Sequence, residues 1–493
     1  MTVGKYILAI DQSTTTTKAI LFDQQTSVVA RCDVQHRQIS PQKGWVEHDP
    51  KEIWHNIVEA VREVIETSGV DKRDIDYMAV TNQRETTVMW TPDGEPVYNA
   101  IVWQCSRAEY IMHRPEIEAN GAYIAHATGL QPSPFFSAAK ACWIKEHCCA
   151  KPGMMFGNMD SWVIWNLTGK HVTDYSNASR TQLFNIRELK WDEKLLKLFG
   201  LEDVEMPEVH FSDEIYGYTT VDGIFDEPIP VAGDMGDSHG ALFAQMCWEK
   251  GMGKCSFGTG GSIMVNIGDE PTVSANRMNT SVAWGLNKKV KYVFEGTIVC
   301  MGDTIRWLKD EAGLITSSKE SEEFATHVDS SDGVYLIPAF TGLGAPYWES
   351  NARAMICGMN RFTNKYHIVR AGLESIAYQM RDIIDPMMKD AHMTLDELRV
   401  DGGPTNNRFL MQFTADILNT RIVRNSVEEL SALGAAFAGG LATGYFKDYD
   451  EIATLRRTNA EYSRQMPAQK AEQFYQGWKD NVAMLLGGIK HEC

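Results

Sequence analysis

An apolar run from Tyr6 to Ile10 stops at Asp11, passes through the hydroxyl row Ser13-Thr14-Thr15-Thr16-Thr17, and resumes from Lys18 to Phe22. A third strand-like run follows from Ser27 to Asp33. Apolar runs divided by polar breaks predict a β-meander whose first turn carries an acid, a cation and several hydroxyls. A related pattern restarts half-way along the chain, with Pro230-Val231-Ala232-Gly233-Asp234 and then Cys255-Ser256-Phe257-Gly258-Thr259-Gly260-Gly261-Ser262. At 493 residues the chain exceeds what one hydrophobic core usually supports. Length and restart together predict two domains, 1–246 and 247–493, with no low-complexity linker between them.

Helical and strand periods alternate through both halves, which predicts the α/β class. Pro50 opens a helix with Ile53, Ile57, Val61 and Val64 at steps of three and four. Tyr77 to Val80 reads as a strand running into Thr81-Asn82-Gln83-Arg84-Glu85, and Ala100 to Trp103 as another strand end. Val369, Leu373, Ile376, Met380 and Ile383 mark a long helix that Pro386 is expected to end. Leu398 to Val400 then enters the turn Asp401-Gly402-Gly403-Pro404-Thr405-Asn406-Asn407, followed by a helix with Phe409, Phe413 and Ile417. In open α/β sheets ligands gather at the carboxyl ends of strands, so these polar loops are the candidate contacts.

A formal charge of -18 argues against a surface made for nucleic acid or anionic lipid, and favours a small diffusing substrate. The ten cysteines show no CxxC pair and read as reduced thiols of a cytoplasmic protein. Neither an export signal nor a membrane-spanning apolar run is present, so no membrane partner is expected. Hydroxyls, backbone N–H groups and Lys18 can meet phosphate oxygens, and Asp11 can hold Mg²⁺; the same segment is equally a Thr-rich hairpin turn. It lacks the spacing of a Walker loop. Gly258-Thr259-Gly260-Gly261 leaves room for a terminal phosphate, or is simply a tight turn. Asp234 suits a general base or a helix N-cap, and Asp237 and His239 stand nearer the capping role.

In this order the segments resemble the FGGY carbohydrate kinases, and among them the members that phosphorylate glycerol. The likeness runs nearly end to end, through Gly44-Trp45-Val46-Glu47-His48-Asp49-Pro50, Thr81 to Thr87, Asn99 to Gln104, Pro338 to Trp348, Leu373 to Gln379 and Val400 to Gly403. It implies two actin/hexokinase-type (ribonuclease H-like) domains around an interdomain cleft, with ATP mainly on the second and a small polyol mainly on the first. It further implies that Thr14, Thr15, Thr16 and Lys18 meet the phosphates, that Asp11 serves Mg²⁺, and that Thr259, Gly302, Arg306, Gly403 and Asn407 bind nucleotide. Arg84 and Glu85 would contact polyol hydroxyls, Trp103 would form the apolar wall, and Asp234 would be the catalytic base. Taken alone, Arg84-Glu85 is a surface ion pair and Trp103 a core aromatic.

The family usually carries tyrosine at Phe135, glutamine at Met235, phenylalanine at Ser262 and glutamine at Arg306. The first three changes touch the expected acceptor pocket and leave open a four- or five-carbon polyol or a ketose as substrate. The acidic loop Asp222 to Pro228 stands where some bacterial relatives carry a Gly/Arg regulatory loop, so sugar-phosphate inhibition through that route is not expected. A homodimer or higher homo-oligomer is compatible with the resemblance. A different class of protein, an ATP-switched interaction protein like actin or the heat-shock chaperones, would share the phosphate loops and need no polyol pocket.

Overall fold

The computed structural model describes residues 5–148, 151–425 and 427–489. The first four residues and Cys149 of the adjacent cysteine pair therefore lie outside the described residues. Tyr6–Gln12 (β1), Thr16–Asp23 (β2) and Val28–Gln35 (β3) form the antiparallel meander. Helix α1, Pro50–Ser68, starts where the Asp49 side chain accepts from the N–H groups of Lys51 and Glu52. It ends at Gly69 in the left-handed region, and it buries Ile53, Ile57, Val61 and Val64. Ile75–Asn82 (β4) lies parallel to β1. After helix α2, Met159–Thr168, come Ile215–Thr219 (β5), Ile229–Gly236 (β6) and helix α3, Asp237–Ala244. The six strands take the order β5-β6-β4-β1-β2-β3.

The stretch 83–214 does not join that sheet. Ala100–Ile101 pairs instead with Glu47–His48 in a two-stranded ribbon, so the expected strand ending at Trp103 lies outside the central sheet. Its apolar residues, among them Met89, Ile101, Ile124, Trp143 and Phe156, pack into a separate cluster beside the domain.

In the second half Met252–Phe257 (β7), Gly261–Gly268 (β8), Asn279–Leu286 (β9) and Lys289–Ile298 (β10) precede helix α4, Gly302–Asp310. Helix α5, Lys365–Asp390, leads to Glu397–Asp401 (β11), helix α6, Arg408–Leu418, and Arg421–Asn425 (β12). Helix α7, Leu430–Thr443, Thr458–Tyr462 (β13) and helix α8, Ala468–Gly487, complete the chain. The second sheet runs β9-β10-β8-β7-β11-β12-β13. In both sheets antiparallel strands, a simple meander in the first and β7-β8-β10-β9 in the second, continue into two parallel strands, β1/β4/β6 in one and β7/β11/β12 in the other. The repeat begins at β7; Pro230 to Asp234 belongs to β6, the last parallel strand of the first unit. No described helix is long and apolar enough to cross a membrane, and no disulfide joins the described cysteines.

Pro386 does not end α5. The helix continues for another turn because Ile383, Ile384 and Met387 are buried in the second core, and that packing outweighs the lost hydrogen bond and ring clash of an internal proline, about 3 kcal/mol.

Helix α7 follows the second sheet in sequence yet packs on β1, β4, β6 and α3. It meets α3 through glycines: a Cβ on Gly434 would stand 1.9 Å from the Gly240 carbonyl oxygen, and one on Gly240 would stand 2.5 Å from that of Ser431. Gly434→Val should force the helices apart and lower the melting temperature, at a cost of about 1–3 kcal/mol. An unchanged melting temperature would show that the crossing is not close-packed.

Candidate active site

The carboxyl ends of β1, β4 and β6 lie side by side. Asp11 is opposite Thr81, which is opposite Met235, and the next register level is Gln12, Asn82 and Gly236. Lys18, at the start of β2, places Nζ 3.0 Å from Asp11 Oδ2 and 2.9 Å from Glu429 Oε2. Glu429 caps α7 with φ 54°, a conformation unusual for a side chain of its size, and also pairs with Arg31. Burial pushes the Asp11 carboxyl up to about 6, Lys18 opposes that shift, and the charge of Asp237 adds to it. Asp237 is therefore within electrostatic reach of Asp11. In the turn above them the Trp103 indole Nε1 donates to Thr14 Oγ1 at 3.0 Å, while Thr15 is exposed and Thr16 hydrogen-bonds Ser13.

Asp234, the expected base, lies one register level below Asp11 and Thr81. This residue sits inside β6 opposite Val80, fully buried, and neither carboxylate oxygen receives a hydrogen bond from a described donor. Burial, reinforced by the neighbouring Asp160 and Asp174, raises its pKa well above the carboxylate range, and burial pushes Asp160 up to about 7. Asp234 thus belongs to a buried acidic cluster with Asp160 and Asp174. Met235 is also fully buried, in the core shared with Ile7, Ala79 and Leu433.

Asp237 is the carboxylate that reaches the cleft. Its side chain is 37% exposed, and Oδ1 lies 3.2 Å from Arg84 Nε and accepts from the Ser238 N–H at 2.6 Å. The strand-end rule was sufficient to find it: Asp234 is a mid-strand residue, whereas Gly236-Asp237 is the first position beyond the strand, at a helix N-terminus.

Arg84 and Glu85 do not pair with each other, and neither is on the surface. The two terminal nitrogens of Arg84 donate to both oxygens of Glu295 on β10, at 3.1 and 2.8 Å. Arg180 donates to Glu85 Oε1 at 2.5 Å and lies 2.8 Å from Glu295 Oε2. Four buried charges of alternating sign therefore join the first domain to β10. Glu85 is 2% exposed, and Oε1 is the oxygen that accepts from Arg180. Trp103 is half-buried rather than core, and its ring lies 5.4 Å from that of Phe135.

On the second domain three expected nucleotide residues share one cavity of about 450 Å³, lined by Gly302, Ile305, Ser321, Gly403, Pro404 and Asn407. The exposed Gly258-Thr259 turn packs on the start of α4, where Gly302 N donates to Gly258 O and Asp303 N to Thr259 O, each at 3.0 Å. Gly402 has φ 99°, and a Cβ there would meet the Phe257 carbonyl at 2.2 Å, so only glycine lets these two turns touch. Asn407 caps α6, accepting from the Leu410 N–H. Arg306 is set apart: it pairs with Asp303, is largely exposed, and lines a different cavity with Trp307 and Phe340. Ser262 lies on β8 opposite Thr297, its hydroxyl buried without a hydrogen-bond partner among the described residues.

Two family models match: the N-terminal domain of the FGGY family of carbohydrate kinases over residues 6–244 and its C-terminal domain over residues 253–443. The chain belongs to this family. Glycerol kinase 2 of Thermotoga maritima is 46% identical over 495 aligned residues, covering 99% of this chain and all of that protein. The crystal structure of Plasmodium falciparum glycerol kinase with ADP matches with a TM-score of 0.92 at 34% identity, covering 99% of both chains. A xylulose kinase of Lactobacillus acidophilus, at 23% identity and a TM-score of 0.86 over 97% of both chains, shares the FGGY fold. The duplicated sheets and the cleft between them are that fold.

Proposed function

We propose that this chain transfers the γ-phosphoryl group of ATP to a terminal hydroxyl of glycerol, with Asp237 as the base. The observation that carries the reading is the meeting of Asp11, Lys18, Arg84 and Asp237 at adjacent strand ends, facing a phosphate-loop turn and an aromatic wall. The names of the relatives support glycerol as the acceptor.

Arg84 spends three N–H groups on Glu295 and Asp237 and keeps others for polyol oxygens, while Glu85 Oε2 accepts from a polyol O–H. Trp103 and Phe135 pack the C–H edge of the substrate. Asp237, fixed by Arg84 and the Ser238 N–H, takes the hydroxyl proton as the oxygen attacks in line. Thr14, Thr15, Thr16 and Lys18 hold the phosphates from the first domain. Thr259, Gly302, Gly403 and Asn407 hold the rest of the nucleotide from the second.

Asp11 and Asp237 fit Mg²⁺ as a pair of hard oxygen donors. Among the described residues no group of three or more suitable side chains forms a closed metal cage, so phosphate oxygens and water would complete the shell. The ion would offset phosphate charge that Lys18 alone cannot balance.

Phe135 lacks a hydroxyl to offer the acceptor, which makes a longer polyol the reading to test beside glycerol. Purified protein with Mg-ATP and a polyol panel should form one phosphorylated glycerol per ADP. Turnover confined to another polyol would replace the substrate. ADP release without any phosphorylated acceptor would overturn the kinase reading in favour of an ATP-switched interaction protein.

A further inference from the structure

Lys140 lies in the first turn of the helix Ser137–His147, where a cation opposes the helix dipole. It is fully buried and takes part in no ion pair among the described residues. Its ammonium donates instead to three consecutive main-chain carbonyls: Pro134 at 2.9 Å, Phe135, and Phe136 at 3.0 Å. An ammonium has three hydrogens, so the group is fully satisfied, which is the condition under which a buried charge is tolerated. Burial pushes its pKa down to about 7, with Glu85 opposing the shift.

The three carbonyls belong to the loop that presents Phe135. That ring rests against Trp103, and Trp103 in turn donates to Thr14 at the phosphate turn. Phe136, at the helix start, has no side-chain capping bond; Ser133 accepts from the N–H groups of Phe135 and Phe136, and Lys140 alone gathers the loop's carbonyls. We infer that Lys140 is a positioning residue for the acceptor pocket: by gathering the 134–136 carbonyls it fixes the Phe135 ring against Trp103, and through that pair it sets the distance between the polyol wall and Thr14. The inference rests on the glycerol-kinase reading above. A cation kept only to fill the core would be replaceable by methionine, because an apolar residue of similar length is often neutral at such sites.

The test uses the full chain. Lys140→Met should raise the KM for glycerol about tenfold, the usual consequence of losing hydrogen bonds to a charged group that orders a pocket. The KM for ATP and kcat should stay near wild type. In a Phe135→Ala background the same substitution should raise the glycerol KM no further, because the ring through which it acts is gone. Equal rises in both KM values, a fall in kcat alone, or full additivity with Phe135→Ala would overturn the inference. If Lys140→Met does not fold, Lys140→Gln carries the comparison, since its shorter, uncharged amide cannot gather all three carbonyls; an unchanged glycerol KM there would equally overturn the inference. Wild type that turns over a different polyol would sink the glycerol assignment and leave this comparison intact with that polyol as the probe.

Discussion

Asp237→Asn is expected to lower kcat by about 10²–10⁴-fold, the range spanned by general-base contributions, while nucleotide binding and the melting curve stay close to wild type. The amide keeps the shape and the contact with the Ser238 N–H but cannot take the acceptor proton, and its pairing with Arg84 is weakened. Asp234→Asn is the informative control. Its carboxyl is fully buried, with burial and the acids beside it favouring the protonated form, so an amide of the same size should leave kcat near wild type. Its effect should appear in stability instead. Asp160 and Asp234 both have folded-state pKa values above their ordinary range, so the folded state binds more protons than the unfolded chain and stability falls as pH rises from the carboxylate range to about 7. Asp234→Asn should flatten that slope in melts taken across pH. If Asp234→Asn abolishes turnover and Asp237→Asn does not, the base has been placed on the wrong side of the Gly236 turn.

The two substitutions also mark how far the sequence could be read. Apolar periods located β1, β2, α1 and α5 because their buried faces repeat at fixed steps, and the polar turns between strands pointed to Asp11, Thr14 and Lys18 because such turns lie at strand ends. Asp234 and Asp237 are told apart only by their place along the strand, one buried within it and the other partly exposed beyond its end, which residue type alone does not reveal. Pro386 misled because local geometry predicts a stop that tertiary packing overrides. Glu295 and Lys140 did leave a trace: one is an acid inside the apolar run Tyr292-Val293-Phe294-Glu295, the other a cation among Ala138, Ala139, Ala141 and Cys142. Charged residues in such company are buried and partnered, but the partners are set by the folded sheets. Arg180, in Asn177-Ala178-Ser179-Arg180, left no such trace, since its acids arrive from the turn after β4 and from β10.

Arg180→Met should for that reason be among the most damaging single changes in the protein. The guanidinium is 2% exposed, lies over the Phe136 ring at 5.1 Å, and holds Glu85 and Glu295 together. Burial pushes the Glu295 carboxyl up, yet the guanidiniums of Arg180 and Arg84 outweigh it and hold the group well below the usual carboxylate range. Without Arg180, Glu85 becomes a buried carboxylate with no cation of its own, and Arg84 must serve Glu295 and Asp237 alone. Removing one partner of a buried pair typically costs about 3–5 kcal/mol, so the denaturation midpoint should fall sharply. The KM for the acceptor should rise with it if Glu85 has its proposed role, because Arg180 no longer holds that carboxylate in place. Arg180→Lys should recover only part of the loss, since a single ammonium cannot reproduce the two-sided fork. Arg73 provides the contrast: its pair with Asp71 is 81% and 43% exposed, and solvent screens such pairs, so Arg73→Met should be nearly silent. Equal midpoints for the two variants would show that the chain of charges across Glu85, Arg180, Glu295 and Arg84 is not what ties the acceptor loop to β10.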